Sequence, residues 1–279
     1  MNEANRHIDT FWTHDLSPIF FHLGPFEVRY YGILFAAMLV IGSCLWRSQI
    51  LRAGRDEATA NAFLWMAIAG IIVGGHLGST LFYEPWQFIL NPMQVFTHWR
   101  SGFASHGAAM GLLAALWIFS RRYKMPMLEA CDRLSIAIPL GTSCIRLGNF
   151  FNAEIVGRPT DIPWAIIFSS YDKLMGLPPT PRHPTQIYEM LVGIIVFVLL
   201  YIVDRKLGER RPHGLMAGLF LAGYFSLRFF LEFFKEYQVL SASFPLTMGQ
   251  ILSIPFIIAG MAILIKHGKG FSCLLHKEQ

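Results

Sequence analysis

Charge is the scarcest ingredient of this chain. Lys, Arg, Asp and Glu make up 15% of its 279 residues, whereas 54% are hydrophobic; soluble domains carry about 25% charged residues. That shortage excludes an ordinary water-soluble domain and leaves the bilayer as the solvent. Cysteine is sparse too: Cys44, Cys131, Cys144 and Cys273 form neither a CxxC pair nor a Cys/His cluster, which argues against a metal or redox centre. No repeat period or low-complexity linker divides the chain, so a single membrane domain over residues 1–279 is expected. Residues 1–28 lack the pattern of a cleavable signal, so the first apolar run is expected to stay in place.

What the chain does have is long apolar runs. About 20 apolar residues are needed to cross the hydrocarbon core as a helix. Such stretches fall near 30–47, 62–82, 103–120, 134–152, 187–203, 214–234 and 248–265. They predict an all-α, polytopic bundle of about seven transmembrane helices. Basic residues set its orientation. Arg47, Arg52 and Arg55 follow the first span; Arg121, Arg122, Lys124 and Arg133 lie between the third and fourth; Arg205, Lys206, Arg210 and Arg211 lie between the fifth and sixth; Lys266, Lys269 and Lys277 follow the last. The alternate loops are poorer, with Arg100 in one, Lys235 in another, and Arg158, Lys173 and Arg182 spread over a long third. Positive-inside asymmetry therefore predicts an external N-terminus and a cytoplasmic C-terminus. It also accounts for most of the net charge of +5, so no nucleic-acid partner is implied.

The outward loop at 153–186 holds Pro159, Pro163, Pro178, Pro179, Pro181 and Pro184. Proline blocks a continuous helix, so an irregular arm or short interfacial elements are expected there. Trp86, Trp99 and Trp164 fall near outer helix ends, where an amphipathic indole anchors well.

Charge inside a span costs roughly 2.5–3.5 kcal/mol per residue on insertion scales, so each such residue is a functional suspect. Arg146 and Asn149 lie toward the outer end of the fourth span, His106 near that of the third, and Arg228 and Glu232 in the outer half of the sixth. Tyr31 opens the first span, Glu189 the fifth and Gln250 the seventh; His76 lies in the outer half of the second. Tyr224, Arg228 and Glu232 are spaced four apart and share one helical face, and Arg146 and Asn149 are neighbours three apart. For Glu154 to join them the backbone must break near Gly148 or Asn152. Two arginines from separate helices at one depth invite a shared anion. His106, among the small residues of Ser105-His106-Gly107-Ala108-Ala109-Met110-Gly111, is either incidental to a tight helix crossing or a proton acceptor. His183 and Glu189 read either as capping at a helix start, slightly favoured by spacing, or as support for the site.

At these residues the chain resembles the prolipoprotein diacylglyceryl transferase family. The resemblance runs from end to end: Tyr30-Tyr31-Gly32, Ser105-His106-Gly107, Arg146-Leu147-Gly148-Asn149-Phe150-Phe151-Asn152-Ala153-Glu154, Gly157-Arg158-Pro159-Thr160-Asp161, Arg182-His183-Pro184-Thr185-Gln186-Ile187-Tyr188-Glu189, Arg228 with Glu232, and Met248-Gly249-Gln250-Ile251-Leu252-Ser253-Ile254-Pro255. Ile145 and Ala153 stand where the family usually has Gly, His76 where Arg is usual, and Phe234-Lys235-Glu236-Tyr237 lacks the usual Pro-Asp. None of these removes a residue with an assigned role.

The resemblance implies a bacterial inner-membrane enzyme that moves the diacylglyceryl group of phosphatidylglycerol to the lipobox cysteine of a prolipoprotein signal peptide. It implies no cofactor and no metal, and a site open to membrane lipids at the outer leaflet. His106, Arg146 and Arg228 are the expected catalytic residues. Tyr31, Asn149, Glu154, Gly157 and Tyr224, with both arginines, are expected to bind substrate; Arg182, His183, Glu189, Glu232 and Gln250 are expected to support them. A transporter of an anionic or lipid substrate is the alternative, but it predicts midplane charges and repeat symmetry, which the sequence does not show. A serine hydrolase finds no Gly-x-Ser-x-Gly elbow.

Overall fold

A computed structural model describes residues 10–83, 85–90, 93, 103–236 and 245–275. Trp99, Arg100 and Lys277 lie outside the described residues. Each of the seven expected apolar stretches is helical: α1 (Tyr30–Arg52), α2 (Glu57–Tyr83), α4 (Ser105–Arg122) after the short α3 (Pro85–Leu90), α5 (Met127–Ser135) with α6 (Ala137–Phe151), α8 (Thr185–Leu207), α9 (Leu215–Leu231) and α10 (Met248–Leu275). The short α7 (Ser169–Met175) lies in the arm. Among the described residues five helices, α1, α2, α8, α9 and α10, are long and apolar enough to cross a membrane; α5 and α6, bent by 43°, make a sixth if they count as one span. The helix of the expected third span, α4, is only 18 residues long and ends in Arg121 and Arg122.

The chain is mostly helical rather than all-α. Among the described residues there are five short strands: β1 (Trp12–His14), β2 (Ile19–Leu23), β3 (Phe26–Arg29), β4 (Ile166–Phe168) and β5 (Pro181–Arg182). β4 pairs parallel with β1 and antiparallel with β5, while β2 and β3 form a separate hairpin. Strands of two to five residues carry too little period-2 alternation to be read from sequence, and the surrounding prolines hide them further. The arm at 153–186 therefore has order that its composition conceals.

The described residues fall into two compact units, one from residues 1–42 and 135–279, the other from 43–134. In the second unit α2 and α4 cross backbone to backbone: a Cβ on Gly70 would sit 2.4 Å from the Gly111 carbonyl oxygen, and one on Gly74 2.4 Å from that of Gly107. Small residues at such a crossing admit dense packing that lipid tails cannot match. Trp46, Phe63 and Phe119 close the opposite end, with ring centroids 4.0–5.3 Å apart.

In the first unit Ile136, Val196, Leu200, Met216, Phe220 and Tyr224 form the core among α6, α8 and α9. Gly193 lets α8 approach α6, since a Cβ there would fall 2.2 Å from Ser143 Oγ. That hydroxyl donates to the Met190 carbonyl at 2.9 Å and so ties the two helices. Outside the spans, His14 on β1 is fully buried against Phe150, Phe168 and Trp12, at centroid distances of 4.8, 5.4 and 5.7 Å. Neither ring nitrogen has a hydrogen bond, the backbone of His14 and Phe150 lying near but without bonding geometry.

Burial lowers the His14 pKa from its ordinary 6.5, opposed more weakly by nearby backbone and by Asp15. The unfolded chain thus binds the proton more readily, so the contribution of His14 to stability is complete above pH 6.5 and is lost as pH falls toward the lowered value. Thermal unfolding of wild type is expected to show Tm falling below pH 6.5, and His14→Phe is expected to flatten that decline while leaving Tm near pH 8 little changed.

Candidate active site

Helix α6 carries Arg146 and Asn149 on its last two turns and ends at Asn152. The backbone break anticipated near Gly148 or Asn152 occurs at Asn152: Ala153 and Ile155 take left-handed φ angles of 52° and 57°. This reversal returns Glu154 to the helix end, where Asn149 Nδ2 donates to Glu154 Oε1 at 2.7 Å and Asn152 Nδ2 donates to the same oxygen at 3.2 Å. Gly148 instead stays helical, and its missing side chain makes room for the Tyr31 ring, which a Cβ there would meet at 2.7 Å. Tyr31 is thereby held against the Arg146–Glu154 stretch. The left-handed position at 153 gives a physical reason for glycine there, since an L-residue pays roughly 1–2 kcal/mol for that conformation.

Glu189, one turn into α8, is the hub. Its side chain is 3% exposed and meets three cations: Arg146 Nε lies 3.1 Å from Oε2, while Arg228 Nη1 and Lys235 Nζ lie 3.4 and 2.9 Å from Oε1. The Arg146 contact is an ion pair without aligned hydrogen-bond geometry. Glu232 adds a second carboxylate, 2.9 Å from Lys235 Nζ and 3.8 Å from Arg228 Nη2. Tyr224, one turn before Arg228, is buried and interacts with the same guanidinium. Arg146 Nη1 also donates to Asn149 Oδ1, at 3.4 Å. The ends of α6 and α9 and the starts of α8 and α10 thus converge on one network.

Gln250 supports this network as part of a helix cap. Thr247 Oγ1 accepts from Gln250 N at 3.2 Å and Gln250 Oε1 accepts from Thr247 N at 2.9 Å, a reciprocal capping box at the start of α10. The Thr247 hydroxyl also donates to Glu232 Oε2 at 3.0 Å, which fixes that carboxylate. Gly249 is required beside it, since a Cβ would fall 2.2 Å from Glu232.

The arm docks on the same region. Gly157 N donates to the His183 carbonyl at 3.1 Å, and a Cβ on Gly157 would meet that oxygen at 2.4 Å, so Gly157 serves close backbone approach. Arg158 N donates to the Phe234 carbonyl at 2.8 Å, and Arg158 Nε to the Lys235 carbonyl at 2.7 Å. Arg182 pairs with Asp172 and Glu236 and lies over the Tyr171 ring, so it organises the arm. Burial lowers the His183 pKa, and its Nδ1 lies 3.3 Å from the Tyr188 hydroxyl. The capping reading is not borne out: α8 begins after Pro184 without a side-chain cap.

Arg146, Asn149, Glu154, Tyr224, Arg228, Glu189, Glu232, Tyr31, Gly157 and Gln250 all belong to the first unit. His106 belongs to the second, exposed on the first turn of α4, while Gly107 and Gly111 make the tight crossing with α2. Sequence reading missed Lys235, which it counted only as a loop cation. Its buried position, 5% exposed, follows from the Gly157–Lys235 bridge to the arm, a pairing between distant segments. Its spacing of three from Glu232 was the available signal.

These apolar helices, with a charged network at one set of helix ends, define a multi-pass membrane protein. The chain belongs to the prolipoprotein diacylglyceryl transferase family, whose profile matches residues 18–266. It is 38% identical to the phosphatidylglycerol–prolipoprotein diacylglyceryl transferase of Chloroherpeton thalassium, over 93% of this chain and 94% of that one. The enzymes of the same name from Pseudoalteromonas atlantica and Tolumonas auensis are 38% and 37% identical, covering 90% and 93% of this chain and 89% and 98% of theirs.

Three outcomes are expected in unfolding measurements on micelle-solubilised protein. Glu189→Leu should destabilise by about 3–5 kcal/mol, because it leaves three neighbouring cations without their shared counter-charge. Ala153→Val should cost about 2–4 kcal/mol, combining a β-branched residue at positive φ with overpacking beside Val156 and Phe168. Ala153→Gly should stay within about 1 kcal/mol of wild type, since relief of strain offsets one lost buried methyl.

Proposed function

We propose that this chain transfers the diacylglyceryl group of phosphatidylglycerol to the lipobox cysteine thiol of a prolipoprotein. The sulfur attacks the glycerol carbon that bears the phosphate, the carbon–oxygen bond breaks, and a thioether forms as glycerol phosphate departs. The thiol proton goes to a base. The two units act as one transferase domain in the bacterial inner membrane, with seven spans, the N-terminus outside and the reacting groups at the outer leaflet.

One observation carries this reading. The network buries its carboxylates more deeply than its arginines: the Glu189 and Glu232 side chains are 3% and 8% exposed, against 14% for Arg146 and 23% for Arg228. The more exposed members of the network are therefore cationic and rich in N–H donors, which suits a phosphate whose negative charge grows as its ester bond breaks. Arg146 and Arg228 hold that phosphate, and Asn149, Tyr31 and Tyr224 orient its oxygens and the glycerol. Glu189, Glu232 and Lys235 keep the arginines in place, while Glu154 orders Asn149. A thiol with a pKa near 8.5 is mostly protonated at neutral pH, so an imidazole base is useful, and His106 takes that role.

In phosphatidylglycerol liposomes the purified protein is expected to convert a lipobox peptide to its diacylglyceryl form, read by mass. Arg146→Ala and Arg228→Ala should each abolish conversion while membrane insertion persists; a well-folded wild type inactive on several lipobox peptides overturns the assignment. His106→Gln should slow transfer by roughly 100-fold or more, the usual scale of general-base catalysis. Its deficit should shrink as pH approaches the thiol pKa, and an unchanged rate removes His106 from the mechanism.

A further inference from the structure

The hairpin β2–β3 is amphipathic, and nothing in the transfer chemistry uses it. Its register pairs Phe21 with Val28 and Leu23 with Phe26, which puts these four on one face, and pairs His22 with Glu27 on the other. The apolar face is bare: Phe21, Leu23 and Phe26 are 44%, 64% and 72% exposed. The polar face carries the Glu27–Arg29 ion pair, 3.0 Å long. A two-stranded hairpin with an uncovered apolar face is marginal in water, so a cover is needed.

Two features say what covers it. The strand runs from Arg29 straight into Tyr30, the first residue of the membrane-spanning helix α1, so no linker carries the hairpin away from the bilayer surface. The hairpin is also fixed in direction at that junction. Tyr30 N donates to the Pro18 carbonyl at 3.1 Å, Phe20 packs edge-on against the Tyr30 ring at 5.1 Å, and Tyr30 stacks on Phe151 at 4.2 Å. Aromatic residues at this level match the preference of such rings for the headgroup boundary.

We propose that the hairpin is a monotopic membrane anchor, lying in the bilayer interface with Phe21, Leu23, Phe26 and Val28 among the lipid chains and His22, Glu27 and Arg29 toward water. It is a second attachment beside the spans, and it sets the level of the outer end of α1, where Tyr31 sits. The occupant of the apolar face is lipid.

Single nitroxide labels at Leu23→Cys, Phe26→Cys, His22→Cys and Glu27→Cys test this in the full chain. The protein is reconstituted in phosphatidylethanolamine–phosphatidylglycerol vesicles, with the unsubstituted protein labelled in parallel to subtract its native cysteines. Collisions with oxygen relative to a water-soluble nickel chelate should be several-fold higher at positions 23 and 26 than at 22 and 27. Two positions on each face keep the comparison alive if one variant fails to fold. Equal nickel accessibility at all positions places the hairpin in water and overturns the proposal. Shielding of 23 and 26 from both reagents means a protein surface covers them, and overturns it equally.

Discussion

Three cations converge on the Glu189 carboxylate, which is buried with 3% of its side chain exposed. A carboxylate removed from water loses several kcal/mol of hydration unless charges and donors replace it. Arg146, Arg228 and Lys235 replace it here, and each comes from a different segment: the end of α6, the end of α9, and the turn beyond α9. Removing the carboxylate leaves like charges facing each other in a poorly solvated place. Helix ends, which in a bilayer protein are otherwise joined mainly by apolar packing, are thereby held to one another by charge.

The remaining order around the site follows from keeping that network in register. Glu232 cannot drift because Thr247 donates to it and Gly249 packs against it, and Thr247 is itself locked by the cap with Gln250. Lys235 cannot leave because its backbone bridges Gly157 and its carbonyl accepts from Arg158, so the arm closes the network from outside. The arm in turn rests on Arg182, paired with Asp172 and Glu236. A chain of mutual constraints thus runs from a three-stranded sheet to the guanidiniums.

Much of the charged network of the candidate site was legible because membrane insertion makes charge conspicuous. Arg146, Asn149, Arg228 and Glu232 stand out in apolar runs, and helical spacing of three and four is enough to pair them along α6 and α9. The break at Asn152 was foreseen as one of two positions, and Ala153 shows why the other failed: Gly148 is needed for Tyr31 to pack, whereas 153 needs the left-handed φ. Of the two roles open to Glu189, cap or support, its contacts with three cations agree with support. Lys235 was read as a loop cation and proved to be buried. The burial of Lys235 and the number of cations on Glu189 were hidden for one reason: spacing within a helix says nothing about which residue of another helix arrives opposite.

By itself the sequence determined that this protein lives in a membrane, where its helices lie, and which polar residues had to find partners. These follow from hydrophobicity and from the 3.6-residue period, which are local properties. Only the tertiary structure decided that Glu189 serves three cations, that Gln250 caps a helix, that the proline-rich arm contains a sheet, and that the β2–β3 hairpin leaves an apolar face open. Those outcomes depend on contacts between residues far apart in the chain, where no local period records the partner.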